Sequence, residues 1–162
     1  MDKQKTALWF LTSSLIQIDK AIYYFQEYLN TKNKDYWVKL IVPKHFDFCL
    51  IQIWDRELMP EEDILYLITL IKKHEQLSLL LNKNNIKETE TLNLFYFFRN
   101  EILNIFFKEI KSRGLENKIK TEMDIKEATN YSEDDDYPEF LSSFFRIINT
   151  KGQSRFLQED YL

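Results

Sequence analysis

The segment from residue 91 to residue 110 constrains the fold most, because it is apolar around most of a helix. At about 100° per residue, its polar side chains fall on one narrow arc that also contains Phe97. These polar residues are Asn93, Asn100, Glu101, Asn104 and Lys108. A helix with so wide an apolar arc needs neighbours on several sides. The pattern therefore predicts the central helix of a helical bundle.

Scarcity of turn residues supports the same fold class. The chain of 162 residues has only two Gly and three Pro, whereas sandwiches, barrels and glycine-loop nucleotide folds need many tight turns. Helices joined by polar loops do not need such turns. We therefore predict an all-α fold: a single-domain helical bundle of about five to seven helices over residues 1–150. Residues 151–162 are expected to form a polar C-terminal tail.

Three long helices are predicted, over residues 6–30, 60–81 and 91–113. The first carries an a/d heptad seam, formed by Leu8, Leu11, Leu15, Ile18, Ile22, Phe25 and Leu29. Further aromatic residues widen this seam, which favours a bundle helix over a coiled-coil arm that would make a homodimer. Thr89 or Thr91 is the expected N-cap of the third helix, and Gly114 its C-terminal stop.

Residues 36–58 allow two interpretations. Residues 36–42 have the composition of a β-strand, but Pro43 follows them and no other strand is evident. Two short helices with a break near Pro43 fit this context better. The second would present an apolar stripe formed by Phe46, Cys49, Leu50, Ile53 and Trp54.

Net charge and cysteine content exclude several functional classes. A formal net charge of −4 argues against broad nucleic-acid binding. The only cysteine, Cys49, lies in an apolar run and is expected to be a buried, unreactive thiol. It can form neither an intramolecular disulfide nor a cysteine-based zinc cluster. Without an apolar run of about 20 residues, a cytoplasmic protein that does not enter a membrane is expected.

An acidic segment between two tyrosines is the predicted partner-binding region. It consists of Tyr131, Glu133, Asp134, Asp135, Asp136 and Tyr137. One interpretation is a solvated loop, and another is an electrostatic docking site for a basic protein. Calcium binding is a third, but the alternating acids, the glycine and the twelfth-position glutamate of an EF-hand are not all present.

The two histidines, His45 and His74, do not define a metal site. Neither shares a helix face with its nearest acidic residue in the sequence, so a carboxylate partner would have to come from tertiary structure. We expect both at the surface or at its boundary. No metal ligand set, cofactor motif or complete catalytic set is found in the sequence.

Arg99 projects into the apolar arc of the predicted central helix. An unpaired buried charge costs several kcal/mol, so this guanidinium needs an acidic partner. The candidates from the sequence are Asp19, Asp55 and Glu101. The alternative is that Arg99, with Asn100 and Asn104, binds a ligand or a phosphate.

The hexapeptide Arg99-Asn100-Glu101-Ile102-Leu103-Asn104 resembles the motif of HEPN-type helical ribonucleases. In that family an arginine, a polar residue and, after three more residues, a histidine project from a bundle helix. The resemblance implies that the arginine and the histidine act on the scissile phosphate and the 2′-hydroxyl, and Arg99 and Asn100 match the first two positions of the motif. Here Asn104 stands in place of the histidine, and asparagine cannot exchange a proton near neutral pH.

The function expected from the sequence is protein binding without catalysis. The small size, the acidic charge and the lack of a catalytic set are typical of immunity or antitoxin proteins, which inhibit a partner protein. The expected partner is another protein, basic in character. The alternative is an HEPN-like domain with a degenerate motif that cleaves or binds RNA.

Overall fold

The computed structural model describes residues 3–112, which form an all-α arrangement, as predicted. The helices are α1 (Lys3–Thr31), α2 (Lys34–Lys39), α3 (Asp47–Asp55), α4 (Glu61–Leu81) and α5 (Glu88–Ser112), with a 3-10 turn at Pro43–His45 before α3. None of these residues is in a β-strand. The expected total of about five to seven helices and the 1–150 domain boundary concern the whole chain, so both stay predictions.

Helix α1 occupies the centre of the described bundle. It packs against α2, the 3-10 turn, α3 and α5, whereas α5 packs mainly against α1 and α4. The central place predicted for residues 91–110 therefore belongs to α1 in this part of the chain. The reason is that α1 buries residues well beyond its heptad seam, including Ala7, Phe10, Ile16 and Ala21.

The two-faced pattern predicted for α5 is confirmed. Of the five polar side chains assigned to the narrow arc, four are exposed, Asn93, Asn100, Asn104 and Lys108, and Glu101 is half-buried. Its buried aromatic residues join the core, where the ring centroids of Phe25 and Phe95 are 5.8 Å apart and those of Phe46 and Phe98 are 5.3 Å apart.

The N-terminus of α5 differs from the prediction. The helix begins at Glu88, so Thr89 and Thr91 lie inside its first turn and neither is the N-cap. Glu88 and Glu90 stabilise this turn by complementing the positive end of the helix dipole. Thr91 Oγ1 instead donates a hydrogen bond to the carbonyl of Lys87 at 2.7 Å. The predicted stop at Gly114 lies outside the described residues.

Residues 36–42 are helical or in a turn, which settles the strand question in favour of the helix. The Asn33 side chain caps α2 by accepting a hydrogen bond from the backbone N–H of Asp35 at 2.9 Å. Trp37 packs on Tyr28 of α1, with ring centroids 5.1 Å apart. Pro43 starts the 3-10 turn, a position where its missing N–H costs nothing.

The turn between α3 and α4 is a Schellman motif built without glycine. The N–H of Leu58 donates to Ile53 O and the N–H of Glu57 to Trp54 O, both at 3.1 Å. Glu57 has φ = 50°, in the left-handed region that glycine adopts more readily. Leu58 and Ile53 are both buried, which provides the apolar contact typical of the motif. The chain then enters α4 through Pro60, whose ring restricts the backbone conformation at this point.

Candidate functional site

The acidic segment that the sequence favours as a binding region, Tyr131 to Tyr137, lies outside the described residues. Its three interpretations, a solvated loop, a docking site and a calcium site, stay predictions. Residues 3–112 contain a buried ion pair, a buried histidine and an open cleft.

Arg99 and Asp19 form an ion pair in the α1–α5 contact. Arg99 Nε donates to Asp19 Oδ1 at 3.4 Å, and the side chains are 0% and 1% exposed. Of the three acids considered from the sequence, Asp19 is therefore the partner. Asp55 is exposed at the end of α3, and Glu101 accepts a hydrogen bond from the Tyr66 hydroxyl.

Burial works against the charge on Asp19. Removal from water raises the pKa of this carboxyl from 3.8 to about 8, although the adjacent Arg99 charge and hydrogen bond act to lower it. Its second oxygen, Oδ2, accepts no hydrogen bond from the described residues. Arg99 cannot relieve its own burial in the same way, since a guanidinium does not lose its proton in proteins.

The three residues of the HEPN-like motif do not converge on one surface. Arg99 is fully buried, whereas Asn100 and Asn104 are exposed on the polar arc of α5. A phosphate could contact Arg99 together with either asparagine only if α1 and α5 separated. The contacts of Arg99 therefore favour its structural role.

His74 is buried, which corrects the expectation of a surface or boundary position. It is 5% exposed on α4 and packs edge-on against Phe46, with ring centroids 4.8 Å apart. Its polar partners come from the 3-10 turn and α3, where Lys44 O lies 2.7 Å from Nε2 and Asp47 Oδ2 lies 3.5 Å from Nδ1. Tertiary contacts thus supply the carboxylate that no neighbour in the sequence offers.

The contact with Lys44 requires a hydrogen on Nε2 of His74. A carbonyl oxygen only accepts, so Nε2 must donate to Lys44 O. The Ser78 hydroxyl, at 3.4 Å, can donate to Nδ1 of a neutral ring, whereas Asp47 Oδ2 can only accept and pairs with Nδ1 when the ring is protonated on both nitrogens. Because Ser78 and Asp47 meet the same nitrogen, the three residues cannot relay a proton as a Ser-His-Asp triad does.

His45 and Cys49 have no arrangement for catalysis. His45 is half-buried, as expected, and stacks on Phe48 with ring centroids 5.1 Å apart. Burial and the neighbouring Lys44 lower its pKa. Cys49 is half-buried and not fully buried as expected, and burial, with a smaller effect from Asp47, raises the pKa of its thiol to about 12, which disfavours the thiolate at neutral pH. Among residues 3–112, no three His, Cys, Asp or Glu side chains are grouped to hold a metal ion.

An open cleft of about 760 Å³ lies between α3 and α4. Its apolar surface is formed by Ile51, Trp54, Met59, Ile64, Leu65 and Ile68. Trp54 is 44% exposed and Leu65 is 57% exposed, so both present apolar area to solvent. Trp54 therefore does not belong to the buried part of the α3 stripe, unlike Phe46, Leu50 and Ile53.

Charged side chains of predominantly one sign surround this cleft. Asp55, Glu57 and Glu61 line it and are exposed, against a single lysine, Lys3. The neighbouring Arg56 lies over the Phe10 ring at 5.3 Å and is not among the lining residues.

A second recess of about 390 Å³ continues the cleft towards α5. It shares Lys3, Glu57 and Met59 with the cleft and adds Glu62 and Asp63 from α4. Asp63 accepts a hydrogen bond from Lys108 of α5 at 2.7 Å. The α3–α4 turn brings these α4 carboxylates to the recess, a position that the periodicity of the sequence does not reveal.

A second exposed apolar surface lies on the α2 side. Val38, Ile41, Val42 and Phe48 are 49% to 71% exposed and recur at intervals of one to six residues. Val38 and Phe48 lie on α2 and α3, and Ile41 and Val42 lie in the turn that follows α2.

Comparison with known proteins assigns no family: no family model matches the chain, and neither a curated protein nor a solved structure is significantly similar to it. Among the helices of residues 3–112, none combines the length and the apolar character needed to cross a bilayer.

Proposed function

We propose that this protein is a non-catalytic binding protein that recognises a basic partner protein. An acidic cleft with an apolar floor, between α3 and α4, is the observation that carries the proposal. Complementary charge guides two proteins into the correct encounter, and a desolvated apolar centre provides the binding energy. An inhibitor of the immunity or antitoxin kind, acting in the cytoplasm, fits this combination.

The chemistry of the described residues supports binding over catalysis. The buried ion pair and the buried histidine are held inside the fold by their own partners. The exposed groups that line the α3–α4 cleft are mainly carboxylates and apolar side chains. Such a surface repels the phosphate backbone of a nucleic acid and favours a positively charged protein.

The test is capture of a partner followed by reconstitution. Full-length protein carrying a tag retains its partner from a native lysate, and both proteins are then purified separately and recombined. We expect a saturable complex whose affinity falls with rising salt, and loss of the partner's activity as the complex forms. A purified partner that binds without any change in its activity would restrict the proposal to binding.

RNA cleavage is the outcome that would replace this proposal. The purified full chain is incubated with diverse RNAs, beside Asn104→Ala and Asn93→Ala, two variants at exposed positions of α5. The HEPN-like alternative requires that RNA be cleaved or bound, and that Asn104→Ala weaken this activity while Asn93→Ala preserves it. We expect no cleavage by any of the three proteins.

A further inference from the structure

We infer that the α3–α4 cleft binds an amphipathic helical segment of the partner that has lysine or arginine beside its apolar face. The inference deepens the proposed binding function and rests on it. An amphipathic helix docks by placing apolar side chains, spaced three and four residues apart, into an apolar groove. Trp54 and Leu65 offer such a helix a large exposed contact area.

The charged rim of the cleft, formed by Asp55, Glu57, Glu61 and Lys3, determines which helix fits. Asp55, Glu57 and Glu61 face a bound segment with three carboxylates, and Lys3 supplies the single lining cation. Cations flanking the apolar face of the segment would meet this rim, whereas an acidic segment would be repelled. Charge complementarity thus selects a basic occupant from the segments that could cover an apolar cleft.

The backbone of Glu57 supports a role for its side chain. A non-glycine residue at φ = 50° is less stable than glycine would be, yet this position of the Schellman motif carries a glutamate. The strained position places a carboxylate on the part of the rim shared by the cleft and the second recess. Residues held in unfavourable backbone conformations cluster at functional sites, which agrees with a binding role for Glu57.

The binding experiment uses full-length protein and a model peptide. The peptide is an amphipathic leucine–lysine helix of about 18 residues, which is about five turns. Its control has the same leucine pattern with glutamate in place of lysine. We expect calorimetry to detect the lysine peptide, with an affinity that falls as salt increases, and the indole N–H signal of Trp54 to shift. Equal binding of the two peptides, or no binding of either, would overturn the inference.

Two pairs of variants separate the cleft from general effects on the fold. Leu65→Ser removes an apolar contact in the cleft, and Leu79→Ser changes an equally exposed leucine of α4 that does not line it. Glu57→Gly and Lys32→Gly each place glycine at a positive φ, but only Glu57 lines the cleft. We expect Leu65→Ser and Glu57→Gly to weaken peptide binding tenfold or more, and the two controls to leave it within about twofold.

Stability measurements show whether a variant loses binding because it unfolds. Glycine relieves the backbone strain, so Glu57→Gly should melt no lower than the native protein while it binds less tightly. A change at Glu57 or Leu65 that leaves peptide affinity unaltered would refute the cleft as the binding site.

Two other occupants would also overturn the inference. If residues 113–162 fill the cleft, Leu65→Ser would increase hydrogen exchange in that segment and Leu79→Ser would not. If a second copy fills it, sedimentation would show a dimer that Leu65→Ser dissociates.

The captured partner distinguishes this inference from the proposed function. If the partner binds native and Leu65→Ser protein with equal affinity, the cleft is not the binding site, but the proposed binding function stands. Peptide binding that depends on the cleft, with no partner protein found, would support the cleft as a binding site and count against the proposed function.

Discussion

The α1–α5 contact and the α3–α4 cleft distribute polar and apolar groups in opposite ways. The first encloses the Arg99 guanidinium and the Asp19 carboxyl group inside an apolar core. The second exposes Trp54 and Leu65 to water and surrounds them with carboxylates. Burying a charge and exposing a large apolar side chain both cost stability. Only the exposed apolar surface can regain that cost from a partner, so the two regions should respond differently to mutation.

The largest effect is expected at the buried pair. Asp19→Leu should lower the free energy of unfolding by about 3–5 kcal/mol, because it removes the hydrogen-bonding carboxyl group beside a guanidinium that stays charged. Arg99→Met should cost less, since Asp19 can become neutral by binding a proton. Urea denaturation of both variants and of the double variant provides the test. The double variant should recover most of the loss, and equal losses in both single variants would contradict this asymmetry.

Solution pH should change the stability contributed by Asp19. Its folded pKa, about 8, lies above the unfolded value, so the folded state holds this proton more tightly. That contribution is complete below about pH 4 and is lost as the pH rises through 8. The slope is at most about 1.4 kcal/mol per pH unit for one proton. Denaturation of the native protein and of Asp19→Asn between these pH values measures the difference in their free energies of unfolding. A difference that stays constant with pH would contradict the prediction.

A smaller effect is expected where α4 meets the 3-10 turn. His74→Leu should cost about 1–3 kcal/mol, because the Lys44 carbonyl loses the donor that lies 2.7 Å away. Ser78→Ala is the control, since its hydroxyl lies 3.4 Å from the ring and is a weaker partner. Nitrogen chemical shifts of the imidazole should place the proton on Nε2. A neutral ring protonated only on Nδ1 would contradict the assigned hydrogen bond.

The smallest effect is expected at the cleft. Leu65→Ser should change the free energy of unfolding by less than about 0.5 kcal/mol, because this side chain already contacts solvent. Thermal or urea denaturation beside Leu79→Ser provides the measurement. A loss above about 2 kcal/mol in Leu65→Ser alone would show that the residue stabilises the fold, and the contrast between the two regions would disappear.

The sequence predicted those features that depend on periodicity within one helix. The exposed and buried faces of α5 follow directly from the spacing of its apolar residues, and Arg99 stands out because it breaks that spacing. Asp19 was one of three possible partners, since a single sequence does not show which helix packs against α5.

Features formed between elements could not be predicted in the same way. Asp47 reaches His74 only because the 3-10 turn brings α3 against α4. Trp54 has the helical spacing of a core residue, but spacing cannot distinguish a face that packs on the core from a face that is exposed to solvent. The first turn of α5 was misplaced because threonine is a good N-cap, while the acidic residues around Thr89 also stabilise a first turn.

In the proposed complex, the Schellman turn at Glu57 would affect the thermodynamics of binding as well as the shape of the cleft. Ile53 and Leu58 clamp the end of α3, and Pro60 restricts the entry into α4, so the two walls of the cleft are joined by a stiff corner. A binding surface that is already ordered loses little conformational entropy when it is occupied. Most of the ordering cost in a complex would then come from the partner's helix. Partners whose segment is helical before binding should therefore bind more tightly than flexible partners of the same composition.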